Sequence, residues 1–279
     1  MGIPPHRALR ARRIIALGAT DEFLRGSFAC PRGGATVPAI CGRYTLSTGA
    51  EALYDAFDWL ERLNEAALDP ATSEALAKKR YNVAPTQEVP IVGQRDPEHA
   101  PKLAVFRWGL LPFWAKSPRD GARMLNARVE TLHSKNAFAK AFERRRCLVP
   151  ADGWIEWERE GKEKKPFHIQ RADGAPLLFA GLWSRWRPEG DESDDWLHTF
   201  TVVTRDSAGP VADLHPRMPV VVDAADRARW LIPSGTDPRP AILEAPLPEL
   251  ELHRVSQRVN DARNDDAACL APPEAQEQR

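Results

Sequence analysis

Residues 147–169 constrain the fold more tightly than any other stretch of this 279-residue chain. Cys147-Leu148-Val149-Pro150 reads as the start of a strand. Gly153-Trp154-Ile155-Glu156-Trp157 then alternates, so Glu156 faces opposite to Ile155 and Trp157. The charged run REGKEKK (159–165) turns the chain, and Phe167-His168-Ile169 returns as the second arm of a hairpin. A chain built on such a hairpin is committed to antiparallel sheet.

The rest of the pattern agrees. Residues 102–110 read as a strand ending in a Trp-Gly turn, and 177–186 and 197–205 as further strands. Leu53, Phe57, Leu60 and Leu63 share one face of a helix over 50–66. A short amphipathic helix over 136–146 ends in three arginines that complement its dipole, and a last helix runs roughly 223–231. This is an α+β pattern with mostly antiparallel strands, without internal repeats and without a linker that splits the body. Asp191-Glu192-Ser193-Asp194-Asp195 forms an acidic exposed loop.

Composition narrows the class. Net charge is zero, yet residues 78–146 hold 15 Lys/Arg against 6 Asp/Glu, and residues 187–279 hold 10 against 18. A basic middle can steer a polyanion even in a neutral chain, although a charge run is more often a solvated face. No run of about 18 apolar residues is present, so no membrane span is expected. The four cysteines (30, 41, 147, 269) form no CxxC pair and no His/Cys cluster, which argues against a disulfide framework or a metal site and for a reducing compartment. Residues 1–40 differ in character: six arginines against two acids before residue 40, rich in Gly and Pro, with no secretory apolar core. They read as a disordered leader ahead of a domain spanning 41–270, and 271–279 as a flexible tail.

No Walker loop, GxGxxG, HExxH or GxSxG is present. Four polar residues sit in apolar or Gly/Pro-bounded surroundings: Cys41, Asn126, Glu156 and His215. Each has a bland reading, respectively a small core residue, a turn cap, a solvated strand face and a loop histidine before Pro216. Together they resemble a kit for nucleophilic or imine chemistry.

A series of motifs raises their weight: CGRYTL (41–46), YNVAPTQ (81–87), WGLLPFWA (108–115), NARVET (126–131), RCLVPADGWIEW (146–157), FAGLW (179–183), FTVVT (200–204) and LHPRMPVVV (214–222). VSQRVN (255–260) follows as what looks like a closing strand. In this order the blocks closely resemble the SRAP family of SOS-response-associated peptidases, or abasic-site processing proteins. The resemblance implies a single domain around a curved, barrel-like sheet, with a basic cleft for single-stranded DNA. It implies a covalent crosslink to abasic sites through an N-terminal cysteine, here Cys41, with Asn126, Glu156 and His215 completing the site. Arg43, Asn82, Trp108, Trp114, Arg128 and Arg217 fall in blocks that line the family's cleft; Trp108 also reads as core, and Trp114 is the better stacking candidate.

An abasic site opens to an aldehyde. An α-amine forms an imine with it, and a thiol two carbons away closes a thiazolidine ring. Such a closure is intramolecular, with effective molarities on the order of 10⁵ M or more. An internal cysteine offers only the thiol. Cys41 must therefore become residue one, by a true start downstream of Met1, the preferred reading, or by cleavage at Ile40–Cys41. Glu156 is expected to shuttle protons, His215 to act as acid or base on the sugar, Asn126 to orient, and Arg43, Arg128 and Arg217 to hold phosphates. The other readings are a cysteine peptidase that removes its own leader and a non-catalytic reader of single strands or modified bases. No cofactor is implied. A cytoplasmic or nucleoid-associated monomer is expected, with replication-fork proteins as candidate partners.

Overall fold

The computed structural model describes residues 41–61, 70–94, 96–160 and 163–274. The leader, and the part of the expected helix beyond residue 61, lie outside them. The described strands are β1 (Arg43–Leu46), β2 (Arg80–Val83), β3 (Glu88–Gly93), β4 (Lys102–Trp108), β5 (Asn126–Arg128), β6 (Arg146–Ala151), β7 (Gly153–Glu160), β8 (Glu163–Arg171), β9 (Leu177–Trp186), β10 (Leu197–Asp206), β11 (Arg217–Pro219) and β12 (Leu250–Arg254). The helices are short: α1 (Ala50–Ala56), α2 (Pro70–Ala77), α3 (Ala139–Arg144), α4 (Val211–Leu214), α5 (Arg227–Leu231) and α6 (Arg239–Glu244).

Two sheets make the body, and the architecture is the expected α+β. Strands β10, β4, β3, β6 and β9 pair in that order, and β9 pairs back onto β10, closing a five-stranded barrel. All these pairings are antiparallel except β10 with β4. The second sheet runs β12-β8-β7-β1-β2, wholly antiparallel, with the β7–β8 hairpin at its centre. It lies on the barrel through aromatic rings. Tyr44 of β1 meets Trp108 and Phe179 edge-on at 5.2 and 6.4 Å, and Trp154 of β7 meets Phe179 at 5.9 Å. Rings of this kind bury roughly 150–250 Å² each, about 4–6 kcal/mol of transfer free energy as an upper figure.

The central strand β7 is buried on both faces. Trp154 and Glu156 point into the main core, whereas Ile155 packs with Val255, Val259 and Cys269 in a second small core. The C-terminal segment forms that cover. Asp265 receives the N–H groups of Tyr81 and Asn82 at 2.7 and 2.9 Å and pairs with Arg80 at 2.5 Å. The motif Val255–Asn260 is correspondingly not a strand. Its Gln257–Asn260 portion is a 3-10 turn capped by Ser256, and the closing strand is β12 just before it.

Two other expectations shift. Helix α1 stops at Ala56, where Phe57 leaves helical geometry, because Glu61 is drawn to β4 by its N–H to Pro101 and its ion pair with Lys102. Leu53, Phe57 and Leu60 are nevertheless all buried. Of the three arginines expected to end this helix, Arg144 closes α3, Arg145 caps it and Arg146 belongs to β6; the buried guanidinium of Arg146 donates to the carbonyls of Phe142, Trp230 and Ile232, tying α3 and α5 to the barrel. Glycine is required at two positions, one at the turn after β4 and one at the start of β7. Gly109 adopts φ +123°, and its backbone lies against Gly121; a Cβ at Gly153 would stand 2.3 Å from the Ile169 carbonyl. Cys41, Cys147 and Cys269 are free and buried.

Candidate active site around Cys41 and Glu156

Strand β1 pairs with β7 so that Arg43 faces Ile155, which brings Cys41 beside Glu156. The Cys41 backbone N–H donates to Glu156 Oε1 at 2.8 Å, and both residues are 1% exposed. Cys41 sits at φ +43°, a left-handed conformation that costs an L-residue roughly 1–2 kcal/mol. A buried hydrogen bond to the Glu156 oxygen, worth about 0.5–1.5 kcal/mol, offsets much of that cost. The solvated reading of Glu156 fails because its face of β7 is the core face. Burial pushes its carboxyl up to about 8, although the Cys41 N–H pulls the other way. Burial, then the Glu156 charge, pushes the Cys41 thiol well above its ordinary value.

The other two candidates arrive on neighbouring elements. Helix α4 packs against β7 and ends at His215. His215 is buried, with Nδ1 3.0 Å from the Arg217 carbonyl and 3.2 Å from the Arg217 nitrogen. Its Nε2 is buried without a hydrogen-bond partner among the described residues, which leaves it for an incoming group in either tautomer. Asn126 opens β5, half-buried, opposite Val202 of β10. Strand β10 carries β5 on one edge and β11 on the other, so its C-terminal half gathers Asn126, Arg128 and Arg217.

The cleft residues divide. Arg128 is exposed, and so is Trp114, at 44%. Phe113, which sequence reasoning missed, is 75% exposed and stands edge-on to Trp114 at 5.0 Å, with Lys140 5.4 Å from its ring. Two adjacent aromatics after Pro112 were the available signal. Arg43 is half-buried near Asp261, its pKa lowered by burial. Asn82 and Trp108 do not reach a surface. The Asn82 amide is spent on the carbonyls of Val259, Asp261 and Asn264, and Trp108 is fully buried, donating to the Leu125 carbonyl and stacking on Phe200. Arg217 is held by Glu130 at 2.7 and 3.0 Å, by Asp206 at 2.5 Å and by the Thr204 carbonyl. Nothing in the sequence singled out Asp206 or Asp265, since isolated acids in an acidic half of the chain carry no pattern, and Glu130, inside NARVET, gave no sign of its partner Arg217, 87 residues on.

The family model of the SOS response associated peptidase matches residues 40–262. The chain belongs to the SRAP family. Family relatives include the abasic site processing protein YoaM of Bacillus subtilis, 32% identical over 83% of this chain and 97% of that protein. The abasic site processing protein YedK of Escherichia coli is 32% identical over 84% of this chain and 100% of its own length. A crystal structure of a Bacteroides thetaiotaomicron protein, 24% identical, covers 83% of this chain and 99% of its own with a TM-score of 0.67, a likeness of fold. No helix among the described residues is long and apolar enough to cross a membrane.

Proposed function

We propose that this SRAP protein captures abasic sites in single-stranded DNA by a thiazolidine crosslink to Cys41. One observation carries the reading: Glu156 addresses the backbone nitrogen of Cys41 and not its sulfur. In the 279-residue chain that nitrogen is an amide and inert. In a chain beginning at Cys41 it is an α-amine, with a pKa of about 7.7–8.0 and a neutral, nucleophilic fraction at physiological pH.

The chemistry follows from the positions. The amine nitrogen attacks the aldehyde carbon of the opened sugar, and the carbinolamine loses water to give an imine. Glu156, poised near neutrality, supplies and recovers the proton. The thiol sulfur adds to the imine carbon while the nitrogen takes a proton, so one water leaves and no redox change occurs. His215 Nε2 serves ring opening, and Asn126 orients the amine or the sugar. Arg128 and the Phe113–Trp114 pair hold phosphate and base. Arg217, already held by two carboxylates, serves His215 as a positioning residue through its backbone, a different role from the phosphate clamp expected of it.

A peptidase acting through Cys41 needs a thiolate, which burial opposes here. The ring closure tolerates a weak thiol nucleophile because it is intramolecular. The test is incubation of a chain beginning at Cys41 with an abasic single-stranded oligonucleotide. A heat-stable adduct on a denaturing gel is expected, absent in Cys41→Ser. The 1–279 chain, shown intact by mass, is expected to give none; an equal adduct from it would overturn the aminothiol mechanism.

A further inference from the structure

The two ends of β10 are chemically different. Its C-terminal half gathers Asn126, Arg128 and Arg217. At its N-terminal end, the inward-facing rows of β4, β9 and β10 run out of the core, where Trp183 pairs with Phe200, and Phe106 and His198 come two residues before Trp108 and Phe200 on their strands. The rings pack together, Phe106 lying 5.6 Å from Trp183 and 5.0 Å from His198. Cations then cover them. Arg145 lies 5.3 Å over Trp183, and Arg185 and Arg187 lie 4.6 and 4.5 Å over Trp196. Arg185 and His198 are exposed; Arg145, Trp183, Arg187 and Trp196 are partly so.

This cluster is short of negative charge. Arg145 and Arg185 make no ion pair with a carboxylate among the described residues; burial first, then Arg185, depresses Arg145, and burial first, then Arg185 and Arg145, depresses His198. Arg187 alone turns to the acidic loop, donating to the Ser193 carbonyl at 2.6 Å. Crowded like charges over aromatic rings disfavour the free protein and favour one that has bound a polyanion. Alternating guanidinium and ring planes suit phosphates and unpaired bases together.

The patch is separate from the cleft but joined to it. Along β10, His198 lies roughly 20 Å from Thr204, the register partner of Arg128, at about 3.3 Å per residue. The segment bearing Phe113 and Trp114 is anchored at the patch end of β10 and reaches toward β5 through Leu110 N–H to the Met124 carbonyl. It is fastened by Gly109 N–H to the Phe200 carbonyl, by Leu111 N–H to Thr199 Oγ1 at 3.0 Å and by the Trp186 indole to the Ala115 carbonyl at 2.8 Å. We infer that Arg145, Trp183, Arg185, Trp196 and His198 form a second single-strand surface, which holds DNA leaving the cleft past Phe113 and Trp114. This inference rests on the reading of single-stranded DNA as the substrate.

The test uses unmodified oligodeoxythymidylates and a doubly substituted chain, Arg145→Ala with Arg185→Ala. Anisotropy is measured with a short strand of about 6 nucleotides and a long one of about 20, bracketing the span of one binding fold. The double variant is expected to bind the long strand about tenfold more weakly and to lose about two phosphate contacts, a fall of about 1.4 in the salt slope. Short-strand affinity is expected to stay as in the unaltered chain, and in chains beginning at Cys41 the adduct yield on a short abasic strand is expected to be the same with and without the two substitutions. Trp196→Ala, with both arginines kept, is expected to weaken the long strand while the salt slope holds. Equal loss on both lengths, or none on the long strand, overturns the inference; so does capture of a poly-glutamate peptide with unchanged DNA binding. Absence of any abasic adduct from an otherwise unaltered chain beginning at Cys41 refutes the crosslinking reading alone, because the length comparison is read on intact DNA.

Discussion

Replacing Glu156 by glutamine separates what this carboxyl does for chemistry from what it does to stability. In the fold its pKa is raised to about 8 from an ordinary 4.5, chiefly by burial. Between those two pH values the unfolded chain has released the proton and the folded chain still holds it. The contribution is therefore fully present below about pH 4.5 and is lost as pH rises to about 8. The slope approaches about 1.4 kcal/mol per pH unit, roughly 4–5 kcal/mol over the window as an upper figure. Glutamine keeps the shape and an oxygen for the Cys41 N–H but cannot ionise. Urea unfolding of the 1–279 chain, followed by tryptophan fluorescence from pH 5 to 9, reads the difference. The variant is expected to match the unaltered protein near pH 5 and to exceed it by several kcal/mol at pH 9. In a chain beginning at Cys41 the same variant is expected to slow adduct formation by about 10²-fold while binding of intact single strands hardly moves. Parallel stability curves would show that Glu156 carries no buried proton, and a joint loss of binding and rate would make it merely structural.

His168 gives the opposite pH dependence. It is buried, within 3.0 Å of Thr45 Oγ1, and burial lowers its pKa from 6.5 to about 4. Its contribution is present above pH 6.5 and lost as pH falls to about 4, and His168→Gln should flatten that limb of the unaltered protein, by roughly 3 kcal/mol at most. Gly153→Ala places a methyl 2.3 Å from the Ile169 carbonyl and 2.5 Å from His168 Nε2. A loss of about 3 kcal/mol or more is expected in urea unfolding, and a change below about 0.5 would mean the hairpin yields freely. Arg128→Ala should weaken binding of intact single strands and lower the salt slope by about 0.7, with near-normal adduct formation at saturating DNA. Normal binding by that variant would place the DNA path elsewhere.

Local pattern sufficed for much of this protein. The alternation of residues 153–157, the returning arm at 167–169 and the strands at 177–186 and 197–205 all stand within β7, β8, β9 and β10, because strand period is a property of neighbouring residues. The charged run expected to turn is instead paired strand at 159–160 and 163–165, and its middle lies outside the described residues. The ordered motif blocks made family membership legible before any coordinates. The sequence also named Cys41 and Glu156, yet it could not join them. They lie 115 residues apart, and their contact exists only because β1 pairs with β7. Burial was likewise a tertiary matter. Asn82 and Trp108 sit in motifs as promising as that of Trp114, but the C-terminal cover claims one and the barrel core the other, leaving Trp114 exposed. Only packing decides which side of a strand is core, and so whether a glutamate at an alternating position is a solvated charge or a proton held near neutrality.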